Sequence, residues 1–225
     1  MRSLEVRELG RIAYADAWEL QKSLEAQRKL GEIGDQLLLL EHPHVLTLGR
    51  NGHPENVLVS RDRLEQLGIQ FFENNRGGDI TYHGPGQVVG YPIVSLDAHR
   101  DLHAYLRFLE QVVINTLGKL GLAASRRPGK TGIWLADRKI AAIGVAVRRW
   151  VTYHGFALNV NPDLAPFGGI VPCGIAASEG KVTSMAAELP RCPPLAEVKA
   201  VLADEFWTGF PVFLAAGQKV AAFPQ

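Results

Sequence analysis

Gly132-Ile133-Trp134-Leu135-Ala136-Asp137-Arg138-Lys139-Ile140-Ala141-Ala142-Ile143-Gly144-Val145-Ala146-Val147 is the stretch on which the fold turns. Two apolar runs, 132–136 and 139–147, flank Asp137-Arg138, which has the chemistry of a two-residue hairpin turn. A third run, Val151 to Val160, follows at once, so successive strands pair antiparallel. Alternation along Lys139–Val147 predicts Ile140, Ala142, Gly144 and Ala146 on one face, with Lys139, Ala141, Ile143, Val145 and Val147 on the other.

Working outward, Asp16 and Glu19 read as a capping box, and Ala13, Ala17, Leu20 and Leu24 keep helical spacing until Gly31. Gln36–Leu40 and Val45–Leu48 read as two strands around the turn Glu41-His42-Pro43-His44. Gln87–Val94 is a further strand, which Pro92 would place at an edge or a bulge. Leu102–Leu120 is the clearest helix, with Tyr105, Leu109, Val112 and Val113 on one face and Gly121 as its stop. Pro193-Pro194 opens a last helix predicted to end near Phe206. Hairpin-linked strands with a few packed helices point to an α+β fold with a mixed, largely antiparallel sheet flanked by helices.

The chain has 225 residues and 24.6 kDa, enough for one large domain or two small ones. Lys+Arg 24 against Asp+Glu 23 leaves a net charge of +1, which argues against gripping nucleic acid through bulk charge. The N-terminus has no secretory h-region and no apolar run is long enough to cross a bilayer, so a cytoplasmic protein without membrane contact is expected. Cys173 and Cys192 make no disulfide framework, and no CxxC pair points to zinc. His42-Pro43-His44 lacks metal-ligand spacing and reads as a turn.

Two glycine-rich segments carry the chemistry. Arg76-Gly77-Gly78-Asp79-Ile80-Thr81-Tyr82-His83-Gly84-Pro85-Gly86-Gln87 combines close backbone approach with side chains that fix a ligand's orientation. Phe167 to Ile175 holds Cys173 between Pro172 and Gly174. A free cysteine is usually a packing residue, and a nucleophilic one needs a partner, because an unperturbed thiol is only a few per cent thiolate at neutral pH. His83, His154, Lys139 and Lys130 are the candidate cations. Cys192, in a proline-rich loop, has no supporting chemistry.

The run RGGDITYHGPGQVVGYPI, preceded by EHPHVLTLGR and followed by GKTGIWL, RKIAAIGV, HGFALNV, PCGI and KVTSM, resembles the octanoyltransferases over roughly Leu9 to Phe210. The resemblance implies one catalytic domain, 1–225 with a core of about 9–210, shaped like the biotin and lipoate protein ligases. It implies transfer of an octanoyl group from acyl carrier protein to a lysine of lipoyl domains of 2-oxoacid dehydrogenases or of the glycine cleavage H protein. Cys173 would carry the acyl group as a thioester, and Lys139 would lower the thiol's pKa and handle protons. Arg76, Gly77, Gly78, Asp79, Ile80, Thr81, Tyr82 and His83 would line the acyl site, with Ala142, Ile143, Gly144, Gly155, Phe156 and Ala157. His154, Thr183 and Ser184 lie in matching segments without an assigned role. The carrier's phosphopantetheine arm arrives with the substrate, so no bound cofactor and no metal are implied. The alternative within the same fold is an ATP-dependent lipoate or biotin protein ligase. The small side chains at 142 and 144 leave room for an alkyl chain, whose burial is favourable by ~0.8 kcal/mol per methylene.

Overall fold

The computed structural model describes residues 4–171 and 180–221, the last four of these by backbone alone. Cys173 lies outside the described residues. In chain order the elements are β1 (Leu4–Arg11), α1 (Tyr14–Leu30), β2 (Asp35–Glu41), β3 (Val45–Leu48), α2 (Arg61–Gln66), β4 (Gln70–Glu73), β5 (Ile80–His83) and β6 (Gln87–Ile93). After these come α3 (Leu102–Lys119), β7 (Ser125–Arg127), β8 (Lys130–Leu135), β9 (Arg138–Arg148), β10 (Val151–Asn159), β11 (Lys181–Val182), α4 (Met185–Glu188) and α5 (Leu195–Ala221).

The fold is α+β. Among the described residues an eight-stranded mixed sheet runs β1-β2-β6-β10-β9-β8-β7, with β11 beside β9, and a three-stranded sheet runs β4-β3-β5. β2 shows why a helix lies on each side of the large sheet. Its Leu37 and Leu39 join the core under α3 and α5, while Leu38 and Leu40 join the core under α1. Four successive apolar residues, Leu37 to Leu40, mark a strand buried on both faces. The small sheet closes a third cluster around Leu46, Ile80, Tyr82 and Phe167.

Several expectations need correction. α1 starts at Tyr14, with Ala13 as a cap that makes no side-chain bond, so Asp16 sits in the first turn and not at a capping box. Gln36–Leu40 and Val45–Leu48 are both strands, but the turn between them passes the chain from one sheet to the other. The last helix runs to Ala221 across Pro211, because Phe206, Phe210 and Phe213 continue one apolar stripe against Phe108 of α3.

Pro92 is not on an edge. β6 lies between β2 and β10, and Pro92 pairs with Leu37. The ladder to β10 covers Phe156↔Gly90 through Asn159↔Gln87 and resumes only at the bridge Ser95↔Val151. Within that gap His154 adopts a left-handed φ of 56° and its N–H donates to Gln21 Oε1 at 2.8 Å. The Pro92 carbonyl instead accepts the Thr152 hydroxyl at 2.8 Å. A proline is thus tolerated in a central strand by breaking the ladder opposite it.

Candidate active site

The turn between β8 and β9 is Ala136-Asp137, one residue earlier than expected, with Ala136 at φ 55° and Leu135 paired to Arg138. Two residues on, the register shifts: Trp134 opposes Lys139, but Ile133 opposes Ala141. Ile140 is therefore the extra residue of a bulge, and the strict alternation expected for this strand fails there. Lys139 is turned onto the face of Ala142 and Gly144, away from Ala141, and lines the same cavity as they do.

That cavity has a volume of about 570 Å³ and lies between β9–β10, the Arg76–Asp79 loop and β5. Lys139 is 5% exposed, and its Nζ stands 5.7 Å from the centre of the Trp134 ring. Among the described residues that Nζ has no carboxylate or hydrogen-bond partner. Of the expected lining, Arg76, Gly77, Gly78, Asp79, Thr81, His83, Ala142, Ile143, Gly144, Gly155, Phe156 and Ala157 border the cavity. Ile80 and Tyr82 do not. They alternate with Thr81 and His83 along β5 and point into the third core cluster, where Tyr82 meets Phe167 edge-on.

The Arg76 loop lies flat on β9. Gly77 N–H donates to Val145 O at 2.8 Å, which uses up one amide that could have faced an oxyanion. A Cβ on Gly144 would stand 2.7 Å from Gly77 O, so the absent side chain makes room for this loop. Ala142 remains the small residue open to the cavity. Arg76 is a brace: Nη2 donates to Thr47 O at 2.6 Å and to Thr47 Oγ1 at 2.9 Å, and Nη1 donates to Gly77 O at 3.2 Å. Asp79 accepts His53 N–H at 2.9 Å and the Asn56 side-chain amide.

His83 and His154, both singled out in the sequence, join a ring cluster with Tyr14, Tyr91 and His42 that the sequence did not reveal. Tyr14 and Tyr91 border the cavity with His83 and His154, and His42 lies behind them. Burial lowers His83 to about 3, with His42, Arg76 and His154 adding to the effect against the hydrogen bond to Gln87. Burial and then Arg76 lower His154 to about 3, and burial lowers His42 to about 4. Burial raises Tyr14 to about 12. These rings are uncharged at neutral pH. His42 Nδ1 donates to Ile12 O and its Nε2 accepts from Tyr91 O–H, both at 2.8 Å, so His42 is engaged on both nitrogens; His44 bonds Tyr82 instead.

The segment holding Cys173 is anchored on both flanks. Before it, Ile170 bridges to Val57 and Val171 N–H donates to Asn56 O at 2.8 Å, and Asn56 borders the cavity. After it, β11 pairs Val182 with Lys139, and Thr183 N–H donates to Lys139 O at 2.9 Å. Thr183 Oγ1 donates to Glu188, and Ser184 Oγ caps α4 by accepting Ala187 N–H at 3.3 Å, so both serve the anchor. Cys192 is a half-buried thiol whose S–H donates to Val160 O and Pro193 O at 3.6 Å each, and burial raises it. Among the described residues no group of three or more His, Cys, Asp or Glu could hold a metal, and no helix is long and apolar enough to cross a membrane.

The lipoyl protein ligase A/B catalytic domain family matches residues 13–207. An octanoyltransferase of Solibacter usitatus is 61% identical over 188 residues, covering 83% of this chain and 84% of its own. One from Geobacter metallireducens is 50% identical over 202 residues, covering 89% and 91%. Among solved structures, a bi-partite lipoate protein ligase from Thermoplasma acidophilum superposes with a TM-score of 0.69 at 21% identity, over 92% of this chain and 83% of that one. Biotin protein ligase from Aquifex aeolicus, in complex with biotin and ATP, gives 0.57 at 12%, over 96% and 74%. The solved structures share the fold and the relatives share the sequence. The chain belongs to the lipoyl protein ligase A/B catalytic domain family and, within it, to the acyltransferases called octanoyltransferases.

Proposed function

We propose that this chain, acting as a single catalytic domain in the cytoplasm, moves an octanoyl group from acyl carrier protein to a lysine of a lipoyl domain, through a thioester on Cys173. One observation carries the reading: a buried ammonium, Lys139, borders the cavity with no carboxylate paired to it among the described residues, and the chain on either side of Cys173 is tied to that cavity. Cys173 follows Val171 by two residues, a reach of at most about 7 Å. An uncompensated cation in a site of low dielectric stabilises a nearby thiolate.

In the first half-reaction the Cys173 thiolate attacks the thioester carbonyl of the donor. The new bond is Cys173 sulfur to acyl carbon. The bond that breaks joins that carbon to the carrier's thiol, which leaves with the proton given up by Lys139. In the second half the acceptor lysine's amine attacks the Cys173 thioester and its surplus proton passes to the now neutral Lys139. Amide formation expels the Cys173 thiolate, and thiolate and ammonium are restored together. The ping-pong order follows from the acyl-enzyme, which remains after the carrier has left, and Lys139 serves as proton donor and then acceptor.

Intact-mass analysis after exposure to octanoyl carrier protein tests this. The enzyme gains one octanoyl group in a thiol-labile adduct, and Cys173→Ser gains none. Turnover from free octanoate and ATP, without an adduct and insensitive to alkylation, would instead support the ATP-dependent ligase reading.

A further inference from the structure

Lys139 sits in a cradle that the catalytic reading does not require by itself. Its cross-strand partner is Trp134, which is fully buried and whose ring lies 5.7 Å from Nζ. Directly opposed residues share a face, and the bulge at Ile140 puts that face with Ala142 and Gly144. Gly132 holds a φ of +105°, and a Cβ there would stand 2.6 Å from Lys139 Cε and 2.5 Å from Ala141 O. Gly180 closes the far side: its Cβ would stand 2.9 Å from Trp134 Cζ3. The indole Nε1 has no hydrogen-bond partner among the described residues, so packing and not a polar tether fixes the ring.

We infer that Trp134 is a positioning residue for the acyl-transfer reaction, holding the Lys139 ammonium against its π face at the cavity wall, where no described residue neutralises the charge. A carboxylate in this place would hold the lysine equally well but would cancel most of its field. An aromatic face attracts the cation and carries no net charge, so the ammonium remains available to a thiolate. It also releases a neutral amine readily, as the second half-reaction needs. The inference rests on the Cys173–Lys139 reading given above.

Other charges surround the pair. Arg127 of β7 lies 5.1 Å from the same indole, Arg138 pairs with Glu188, and Lys181 of β11 sits beside Arg138 in the register. Lys130 of β8, Arg76 and Asp79 border the cavity. Removing the indole also takes away the ring face under Arg127, whereas phenylalanine keeps one, and the Arg138–Glu188 pair is untouched by either change.

The experiment compares Trp134→Phe with Trp134→Leu. Both shrink the side chain and both remove the unpartnered N–H, but only phenylalanine keeps a π face. The readout is the pH midpoint of Cys173 alkylation, measured alongside Tm, with Lys139→Ala as control. The expected result is an upward shift of roughly half to one pH unit for Trp134→Leu, with a clearly smaller shift for Trp134→Phe. Equal shifts in the two variants, or none in either, would overturn the role assigned to the indole, whatever the change in Tm. If Lys139→Ala shifts the midpoint while neither tryptophan variant does, the dyad stands and this inference falls. If Lys139→Ala is also silent, both fall.

Discussion

Thr183 and Lys139 are joined main chain to main chain, the Thr183 N–H donating to the Lys139 carbonyl at 2.9 Å. The chain leaving residues 172–179 is thereby fixed to the strand that presents the buried ammonium. On the other flank the Val171 N–H donates to Asn56, whose side-chain amide is in turn held by Asp79. The Arg76–Asp79 loop, the lysine strand and both flanks of the cysteine segment form one connected frame.

Lys139→Arg separates the two duties of the lysine. Arginine keeps the cation but does not release its proton near neutral pH. The carrier can still leave as a thiolate and take its proton from water, so the variant is expected to acylate more slowly and then stall, accumulating octanoyl-enzyme in the presence of both substrates, with kcat lower by about 10²–10⁴. Mass spectrometry during turnover reads the adduct. Turnover at the wild-type rate would remove Lys139 from proton transfer.

Gly132→Ala forces a Cβ into the Lys139 stem and the Ala141 carbonyl at a left-handed φ. The expected loss is about 1–3 kcal/mol in urea unfolding, together with reduced turnover as the lysine is displaced. Full stability with full activity would show that the cradle is looser than the geometry implies.

Ala142→Leu fills the open part of the cavity floor. Transfer of octanoyl is expected to drop about tenfold or more in kcat/KM, while a butanoyl donor suffers less. A uniform loss for every chain length would mean that residue 142 does not face the acyl chain.

Acid destabilises the fold through its buried histidines. His42, His83 and His154 are lowered to about 4, 3 and 3, against about 6.5 in the unfolded chain. Between those values the unfolded chain binds more protons, so the stabilisation is complete above about pH 6.5 and is lost as pH falls toward 3. Each histidine contributes a slope of about 1.4 kcal/mol per pH unit. Urea unfolding at pH 7.5 and 5 reads the loss, and His83→Gln flattens it. Stability that is level across this range would contradict the buried, neutral assignment.

The large sheet was legible where periodicity is uninterrupted. Leu37–Leu40 and Val151–Val160 announce themselves as strands, and Leu102–Leu120 as a helix. The bulge at Ile140 was not legible, because an alternation pattern gives every residue one step and has no means of marking an extra one. It mattered most at Lys139, whose face was assigned wrongly for that reason. Ile80–His83 was not legible as a strand because glycines surround it, although four residues suffice for a strand in the small sheet. The glycine at 144 illustrates the reverse: its smallness was plain, but the use made of it, approach of the Gly77 carbonyl, depends on a segment far away in sequence.

The most direct measurement is reaction with o-phthalaldehyde, which forms a fluorescent isoindole only from a thiol and an amine close enough to bridge. The expected product is an isoindole linking Cys173 to Lys139, mapped by peptide mass spectrometry and absent in Cys173→Ser and in Lys139→Ala. A bridge from Cys173 to Lys130 or Lys181 instead, or no bridge while both groups remain reactive, would contradict it.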